Sequence, residues 1–300
     1  MDEITFNSRL IQFILSGLTV GCIYALIALG FNIIYNVTEV INFAQGEFAV
    51  WGGLAMAVLV QTLDLPLIVN FVIAVASVSI IGALINLLTI RPLKHPTVLT
   101  MIMVTIAVAI VLKGSAMFIF GKDTFALTPF SPGPPFRLGG AYVLRQSLWV
   151  LGITLSLVVV LTYFFQKTIL GKAMKACSDD PMAAGLVGID HKKMVLLSFA
   201  LSAALGAVGG IIMTPITLME FDRGPMLALK GFGAAIMGGL GSFYGAVIAG
   251  FILGLLESLS TGFISSSYKD AVALIVLLLV LFVKPSGLFG GAAILGSKKL

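Results

Sequence analysis

Four polar side chains lie in stretches of the sequence that are otherwise apolar, and they are the first candidates for chemistry. Asn42, Gln45 and Glu47 fall within one apolar run, and Glu257 lies in another near the C-terminus. Polar groups inside a membrane are costly, so they usually face the interior of a helical bundle or a water-filled path. The four residues are therefore candidates for lining a route that a polar solute follows across a membrane.

The run around Asn42 has two interpretations. If residues 41–53 form one regular helix, small and polar side chains share a narrow face of that helix. The residues on that face are Asn42, Gln45, Gly46, Ala49 and Gly53. Such a face can line a translocation path, or it can form a tight contact in which amides pair between two helices. Glu47 projects from a different face, so either the helix breaks near Gly46 or Glu47 contacts another neighbour.

Glu257 belongs to a glycine-rich region in the C-terminal part of the sequence. On a helix it shares a face with Gly250 and Gly254, whose spacing lets two backbones approach closely. That position points the carboxylate towards packed protein instead of lipid. A structural hydrogen bond is the favoured role for Glu257, and contact with a solute is the alternative.

The sequence holds no set of residues typical of an active site or a metal site. His95 and His191 stand beside lysines, with no carboxylate or cysteine at the spacing of metal ligands. Cys22 and Cys177 are too far apart to indicate a disulfide framework. The Walker A motif Gly-x-x-x-x-Gly-Lys-Ser/Thr is also missing from the sequence. We therefore expect no enzymatic activity and no cofactor on this chain.

The composition indicates the class of protein. Apolar residues make up 59% of the 300 residues, charged residues only 10%, and the mean hydropathy is +1.12. Soluble domains carry about 25% charged residues, so the chain is predicted to be an integral membrane protein in contact with the lipid bilayer. Its net charge of +5 is spread too thinly to indicate nucleic-acid binding.

Nine apolar segments are candidates for membrane crossing, which takes roughly 20 helical residues. They are residues 10–35, 40–63, 65–90, 97–120, 146–165, 194–219, 226–243, 244–264 and 271–283. Because 226–243 is rich in glycine and 271–283 is short, eight or nine crossings are expected. The predicted fold is an all-α, polytopic membrane bundle that forms a single domain over residues 1–300.

Basic residues predict which side of the membrane each loop faces, because lysine and arginine concentrate in cytoplasmic loops. The long polar loop 167–193 supplies half of the residues on the basic side. They are Arg91, Lys94, Lys167, Lys172, Lys175, Lys192, Lys193, Lys284, Lys298 and Lys299. Nine crossings then place the N-terminus outside and the C-terminus inside, whereas eight crossings place both ends on one side and make one apolar segment re-entrant. The proline-rich segment 120–145 is predicted as an irregular external loop, either a structured connection or a contact for a ligand-delivery protein.

The loop 167–193 also predicts a short helix of its own. Asp180 precedes Pro181, which suits an N-cap followed by proline in the first turn. Residues 182–187 can then form a helix that ends near Gly188. Small residues give this helix a surface that a partner protein can approach, and they are Ala183, Ala184 and Gly185. The alternative is a surface helix that lies among lipid headgroups.

Several motifs resemble one protein family in order and spacing along nearly the whole chain. The motifs are Ile41-Asn42-Phe43-Ala44-Gln45-Gly46-Glu47, Leu170-Gly171-Lys172-Ala173, Asp180-Pro181, Gly188-Ile189, Gly238-Gly239-Leu240-Gly241-Ser242, Leu256-Glu257-Ser258, Tyr268-Lys269-Asp270 and Pro285-Ser286-Gly287. They resemble the LivH-type permease subunits of bacterial ABC importers for branched-chain amino acids. Gln45 is a departure, because the family often has histidine there, which weakens a proton-linked role and leaves packing or lining of a polar path.

The resemblance implies a multi-pass permease of the bacterial inner membrane that translocates branched-chain or related neutral amino acids. The implied partners are a second, LivM-like permease subunit, two cytoplasmic ATPases that bind ATP and Mg, and an extracytoplasmic amino-acid-binding protein. The loop 167–193 then resembles the coupling segment that docks on an ATPase. Its coupling residues are Asp180, Pro181, Ala183, Ala184, Gly185 and Gly188.

Two rival functions stay open at this point. One is a permease of the same family that carries urea or short amides, because the same architecture serves those solutes. The other is a stand-alone secondary carrier, which needs charged residues inside the membrane for ion coupling. The residues available for that role are Glu47, Lys113, Lys230 and Glu257.

Overall fold

The computed structural model describes residues 2–93, 97–138 and 140–290. Its elements are α1 (Asp2–Thr38), α2 (Gln45–Thr62), α3 (Leu67–Ile85) with a π-helical turn (Asn86–Ile90), α4 (Val98–Phe120), β1 (Phe136–Leu138), β2 (Ala141–Val143), α5 (Arg145–Lys167), α6 (Ile169–Asp179), α7 (Pro181–Leu186), α8 (His191–Thr217), α9 (Gly224–Gly238), α10 (Phe243–Phe263), a 3-10 turn (Ser266–Tyr268) and α11 (Lys269–Val283). Lys94, Lys298 and Lys299, predicted to be cytoplasmic, and His95 lie outside the described residues.

Seven helices in the described part of the chain are long and apolar enough to cross a membrane. They are α1, α3 with its π-helical turn, α4, α5, α8, α10 and α11 with the 3-10 turn before it. Helix α2, with 18 residues, and helix α9, with 15, complete a set that corresponds one to one with the nine predicted segments. The predicted boundary between segments 226–243 and 244–264 is wrong, because α9 ends at Gly238 and α10 begins only at Phe243. Gly239 and Gly241 turn the chain between them with φ angles of 99° and 91°.

The bundle has two distinct ends. At the hairpin end, β1 and β2 pair antiparallel, and the backbone N–H of Tyr142 donates to the Gln12 Oε1 atom of α1. No helix lies between α4 and α5 among the residues described there, as the prolines of segment 120–145 predict, although the two short strands were not expected. At the opposite end of α5 lie α6, α7 and the start of α8 with their lysines, and we call this the basic end.

Helix α1 runs through the centre of the packing, and each of its residues from 21 to 34 is buried. Glycines bring its backbone against that of α10. A Cβ atom at Gly250 would lie only 2.6 Å from the backbone nitrogen of Ala25, and one at Gly17 would lie 2.8 Å from the Leu255 Cα atom. The close approach predicted for Gly250 is confirmed, and it fixes α10 directly on α1.

Helix α2 begins inside the bundle. Helix α1 ends at Thr38, Glu39 takes a left-handed φ of 55°, and residues 40–44 run back along α1. A Cβ atom at Gly30 would overlap the amide group of Gln45, and Gly30 lies eight residues before the end of α1. At 1.5 Å per residue, α2 therefore starts about 12 Å deeper than the end of α1.

The regular helix considered for residues 41–53 is therefore wrong, because the chain is not helical before Gln45. The reason that residues 41–44 are not helical is local. The Oδ1 atom of Asn42 accepts a hydrogen bond from the Ala44 backbone N–H at 3.1 Å, which offers the backbone an alternative to helix. Asn42 thus precedes the helix that carries Gln45 and Glu47.

Helix α9 also starts against the buried start of α2. A Cβ atom at Gly46 would overlap the carbonyl oxygen of Gly224 and would lie 2.7 Å from the backbone nitrogen of Ala228. Gly224 is the first residue of α9. Two helices thus have N-terminal turns in contact with one another inside the protein, each after an irregular connection.

Candidate functional site

Asn42 and Gln45 are enclosed by protein at the start of α2, with exposed fractions of 1% and 0%. The Gln45 Nε2 atom donates to the Ser202 carbonyl oxygen at 3.1 Å, and its Oε1 atom lies 2.5 Å from the Ser202 hydroxyl. These bonds join α2 to α8 in a tight contact, although the partner of the Gln45 amide is a serine and not the second amide that the sequence alternative described. The Asn42 Nδ2 atom, in contrast, has no hydrogen-bond partner among the described residues. Asn42 lines a void of about 10 Å³ with Thr38 and Thr105, which is about the size of one water molecule.

Glu47 lies in the first turn of α2 and is 2% exposed. A Cβ atom at Gly224 would overlap the Glu47 carboxylate, so this side chain fills the place that only a glycine leaves open. The Glu47 Oε2 atom has no hydrogen-bond partner among the described residues, and none of them forms an ion pair with Glu47 within 4.0 Å. A buried carboxylate oxygen without a partner marks this position as unusual, because buried charges are normally paired.

Aromatic residues surround this part of the bundle on the hairpin side of Glu47. Trp51, one helical turn after Glu47, packs edge to face on Phe120 with ring centres 5.5 Å apart. The Trp51 Nε1 atom donates to the Leu112 carbonyl oxygen at 3.1 Å, which ties α2 to α4. We call the apolar group packed here the aromatic cluster, and it comprises Val50, Trp51, Leu54, Ala116, Met219, Phe120, Phe125 and Phe221.

Glu257 lies in a different cluster, in which its two carboxylate oxygens are both engaged. Tyr24 donates its hydroxyl to Glu257 Oε2 at 2.6 Å, and the Lys230 ammonium donates to Oε1 at 2.8 Å. Lys230 also forms an ion pair with Asp270 at 2.7 Å, and Lys269 lies 4.0 Å from Glu257. These contacts join α1, α9, α10 and α11, and they correspond to the structural hydrogen bond that the sequence favoured.

The basic end contains the short helix predicted in the loop 167–193. Helix α7 covers Pro181–Leu186, and the Asp180 carboxylate accepts hydrogen bonds from the backbone N–H groups of Met182 and Ala183 at 2.8 and 3.0 Å. Gly188 follows with a φ of 87°, which ends the segment as predicted. Helix α6 was not predicted, and it begins directly after α5 with Thr168 as its N-cap.

One predicted surface residue of α7 is placed differently by the structure. Ala184 is only 3% exposed and packs on the protein's own core, because the Ile189 backbone N–H donates to its carbonyl oxygen and folds the chain over it. Ala183 and Gly185 are exposed, as are Met182 and other residues of the helix. Ala184 therefore holds α7 against the bundle, and the neighbouring residues Ala183 and Gly185 form the outer surface of the helix.

The cysteine that precedes α7 is structural. Cys177 on α6 is fully buried, and burial together with the nearby Asp190 carboxylate raises the pKa of its thiol above the ordinary value. A thiol with a raised pKa carries little thiolate at neutral pH, so it is a poor nucleophile.

Two cavities open at the basic end. The larger has a volume of about 1200 Å³ and lies between α1, α5, α6 and the turn from α9 to α10. It is lined by residues of both charge signs, including Glu39, Lys172, Lys175 and Asp179. The smaller, of about 300 Å³, lies beside α7 and the start of α8. Neither cavity is lined by Gln45 or Glu47, so the start of α2 is closed off from both in this conformation.

The structure thus brings together Asn42, Gln45 and Glu47 and separates them from Glu257. Three residues that contact the side chains of these sites were not identified from the sequence. They are Ser202, Tyr24 and Asp270. Lys230 was visible as a lysine in an apolar run, and its position signalled a buried partner. Ser202 and Tyr24 carry no such signal, because both residue types are common in membrane helices.

Comparison with known proteins gives a consistent result over the length of the chain. The sequence matches the family described as the permease component of branched-chain amino acid transport systems over residues 13–281. The high-affinity branched-chain amino acid transport system permease protein LivH of Escherichia coli K12 is 31% identical, and the alignment covers 93% of this chain and 95% of LivH.

Two further relatives carry similar names. The permease protein BraD of a high-affinity branched-chain amino acid transport system of Pseudomonas aeruginosa is 29% identical, over 93% of this chain and 95% of BraD. A probable LivH of Methanocaldococcus jannaschii is 29% identical over 88% of each chain. The similarity therefore extends over all the helices that hold the start of α2 and the Glu257 cluster.

Proposed function

We propose, from the premise that this chain belongs to the family of branched-chain amino acid transport system permeases, that it is the membrane-spanning permease subunit of an ATP-driven importer. Its solutes are branched-chain or related neutral amino acids, which pass from an extracytoplasmic binding protein to the cytoplasm. As a multi-pass permease component of the inner membrane, the chain is a transport subunit and not an enzyme.

The observation that carries this proposal is the family match over residues 13–281, and the start of α2 inside the bundle is the structural feature that suits a path for a solute. Irregular backbone at membrane depth is tolerated where it is buried in protein or lines a cavity. Transporters use such discontinuous helices to build solute sites near the middle of the membrane. Asn42 and Glu47 are the proposed path residues, because each keeps a buried polar atom without a hydrogen-bond partner among the described residues. Gln45, whose amide is held by Ser202, positions the start of α2 beside them. Glu257 is withdrawn from the path, because Tyr24 and Lys230 occupy its carboxylate.

The partners in this proposal bind at the two ends of the bundle. The basic end faces the cytoplasm, where two ATPases bind ATP and Mg, and the hairpin end faces the extracytoplasmic amino-acid-binding protein. A second, LivM-like permease subunit packs beside this one in the membrane. Lysines at the basic end support this orientation, because cytoplasmic loops of membrane proteins are rich in lysine and arginine.

Helix α7 is the proposed coupling segment. Its first turn is held by the Asp180 cap and Pro181, and Gly188 ends it, so the helix is a defined body on the surface. Ala183 and Gly185 leave space for an ATPase surface to approach, since a Cβ atom at Gly185 would meet nothing within 4 Å. Ala184 contributes from the inner side, where it holds the helix on the bundle.

Transport is tested in proteoliposomes that contain the complete importer and its binding protein. We expect uptake of labelled leucine that requires ATP and is reduced by excess isoleucine or valine. Urea and acetamide serve as parallel solutes. Uptake of urea or acetamide without leucine uptake, or leucine uptake driven by an ion gradient without ATP, would contradict the proposed function.

The coupling assignment has its own test in the same vesicles. Gly185→Leu places a bulky side chain on the outer surface of α7, and we expect it to abolish leucine uptake and the stimulation of ATPase activity by the binding protein. Gly152→Leu is the matched control, because a Cβ atom at Gly152 on α5 also meets nothing within 4 Å. Normal stimulation and uptake in Gly185→Leu would place the ATPase contact elsewhere.

A further inference from the structure

Glu47 and Lys113 are an acidic and a basic side chain in the membrane-spanning part of the bundle, and neither forms an ion pair with another described residue. The ion pairs within 4.0 Å among the described residues join other side chains. Glu47 is almost completely buried, and its Oε2 atom has no hydrogen-bond partner among the described residues. Lys113 is half-buried on α4 and follows Leu112, whose carbonyl oxygen accepts a hydrogen bond from Trp51 on α2. An acidic and a basic side chain thus lie on two helices that contact each other, without forming a direct ion pair.

Apolar side chains lie beside both charges. The Lys113 ammonium lies 5.9 Å from the centre of the Phe221 ring. Trp51, one turn after Glu47, bonds to the carbonyl oxygen of Leu112, the neighbour of Lys113. Phe221 and Trp51 both belong to the aromatic cluster defined above. The same small region therefore offers a carboxylate, an ammonium group and an apolar wall.

These three features match the chemistry of one class of solute. An α-amino acid with an aliphatic side chain carries an ammonium group, a carboxylate and an apolar group on neighbouring atoms. Pockets for small molecules combine apolar walls with a few well-placed polar groups in the same way. Urea and short amides carry no charge, so they leave both Glu47 and Lys113 without a partner.

We propose that Glu47, Lys113 and the aromatic cluster form the transit site for an apolar amino acid zwitterion. The Glu47 carboxylate accepts hydrogen bonds from the solute's ammonium group, and Lys113 donates to its carboxylate. The aromatic cluster holds the aliphatic side chain. This inference rests on the proposed function, and it specifies which residues of the path select the solute.

The start of α9 closes this site in the present conformation. Gly224 packs directly on the Glu47 carboxylate, and Asp222 precedes it in the connection from α8. That connection begins at Leu218, which takes a left-handed φ of 58°. Withdrawal of the connection and the first turn of α9 uncovers the free oxygen of Glu47 for the solute.

The test measures how much labelled leucine the complete importer retains when it is trapped with ATP and vanadate after delivery by the binding protein. Glu47→Gln and Lys113→Met each remove one charge. We expect each variant to retain 10- to 100-fold less leucine than the wild type, roughly the value of one hydrogen bond to a charged group. Glu47→Asp and Lys113→Arg keep the charges and should retain more leucine than the neutral variants.

Matched controls separate this site from general damage. Asp64→Asn and Lys269→Met each remove one charge outside the proposed site; Asp64 is exposed between α2 and α3, and the Lys269 side chain is 43% exposed, so both should retain leucine normally. ATPase stimulation by the binding protein should stay within about twofold of the wild type in all variants. Normal leucine retention in Glu47→Gln and Lys113→Met overturns the transit site while the proposed function stands. A wild type that shows no ATP-dependent leucine uptake overturns both.

Discussion

Replacement of Lys230 by methionine should strongly destabilise the bundle, because this ammonium group holds two carboxylates. Its Nζ atom lies 2.8 Å from Glu257 Oε1 and 2.7 Å from Asp270 Oδ1. It also lies 5.3 Å from the centre of the Tyr24 ring. The side chains of Lys230 and Glu257 are only 15% and 11% exposed, so water cannot replace the lost contacts. Methionine keeps the length and apolar stem of lysine, so the change isolates the charge.

The magnitude follows from which carboxylate is buried. Removal of one member of a buried ion pair costs about 3–5 kcal/mol, because the remaining charge is left uncompensated. The Asp270 side chain is 39% exposed, so solvent screens most of the charge that Lys230→Met leaves unpaired on Asp270. Lys269, 4.0 Å from Glu257, supplies part of the lost attraction. We therefore expect Lys230→Met to lower the free energy of unfolding by about 3 kcal/mol, the low end of the range for a buried pair.

The measurement is reversible unfolding of the purified importer in mixed detergent micelles, followed by circular dichroism as the denaturing detergent increases. The double variant Lys230→Met/Glu257→Gln should recover about half of the loss, since a neutral amide leaves no buried charge. Lys269→Met is the control and should cost less than about 1 kcal/mol, because its side chain is 43% exposed. The reasoning is refuted if Lys230→Met costs no more stability than this control. It is also refuted if the double variant loses as much stability as Lys230→Met and Glu257→Gln lose together when each is measured alone.

Three further changes test the elements on which the two proposals depend. Asp180→Ala removes both capping bonds of α7 and should destabilise that helix by about 1 kcal/mol; faster hydrogen exchange confined to the loop is the measurement. Gly210→Val places side-chain atoms on the Ala49 carbonyl oxygen and should lower the free energy of unfolding by about 3 kcal/mol. Gly152→Val is its control, because the new side chain meets open space and should change that free energy by less than about 0.5 kcal/mol. Ser202→Ala leaves the Gln45 Oε1 atom without its donor and should cost about 1–3 kcal/mol in the same assay, and an unchanged midpoint contradicts that bond.

Features with local causes were predictable from the sequence. The nine segments follow from apolar runs of sufficient length, which can be recognised without knowing which other helices they pack against. Helix α7 follows from Asp180 and Pro181, because an N-cap and a first-turn proline act within four residues. The close contact at Gly250 follows from the spacing of small residues on one helix face.

Features that depend on distant residues were not predictable. The position of Gln45 depends on Gly30, which is on α1, and on Ser202, which is 157 residues away in the sequence. The burial of Ala184 depends on how the following residues fold back over α7. Apolar composition around Glu47 predicts a helix, but it does not reveal that the N-terminus of α9 packs against that carboxylate.

Helix α8 connects the proposed coupling segment with the proposed path. It begins at His191, capped by Asp190, immediately after the loop that carries α7. Eleven residues further along the same helix, about 16 Å on, Ser202 holds Gln45 and the carbonyl oxygen of Gly30. Because a helix transmits displacement along its axis as a nearly rigid body, we expect movement of α7 by a bound ATPase to reach the start of α2 through α8. Glu47 lies two residues after Gln45, so we expect the same movement to change its contact with α9 and to alter access to the proposed transit site.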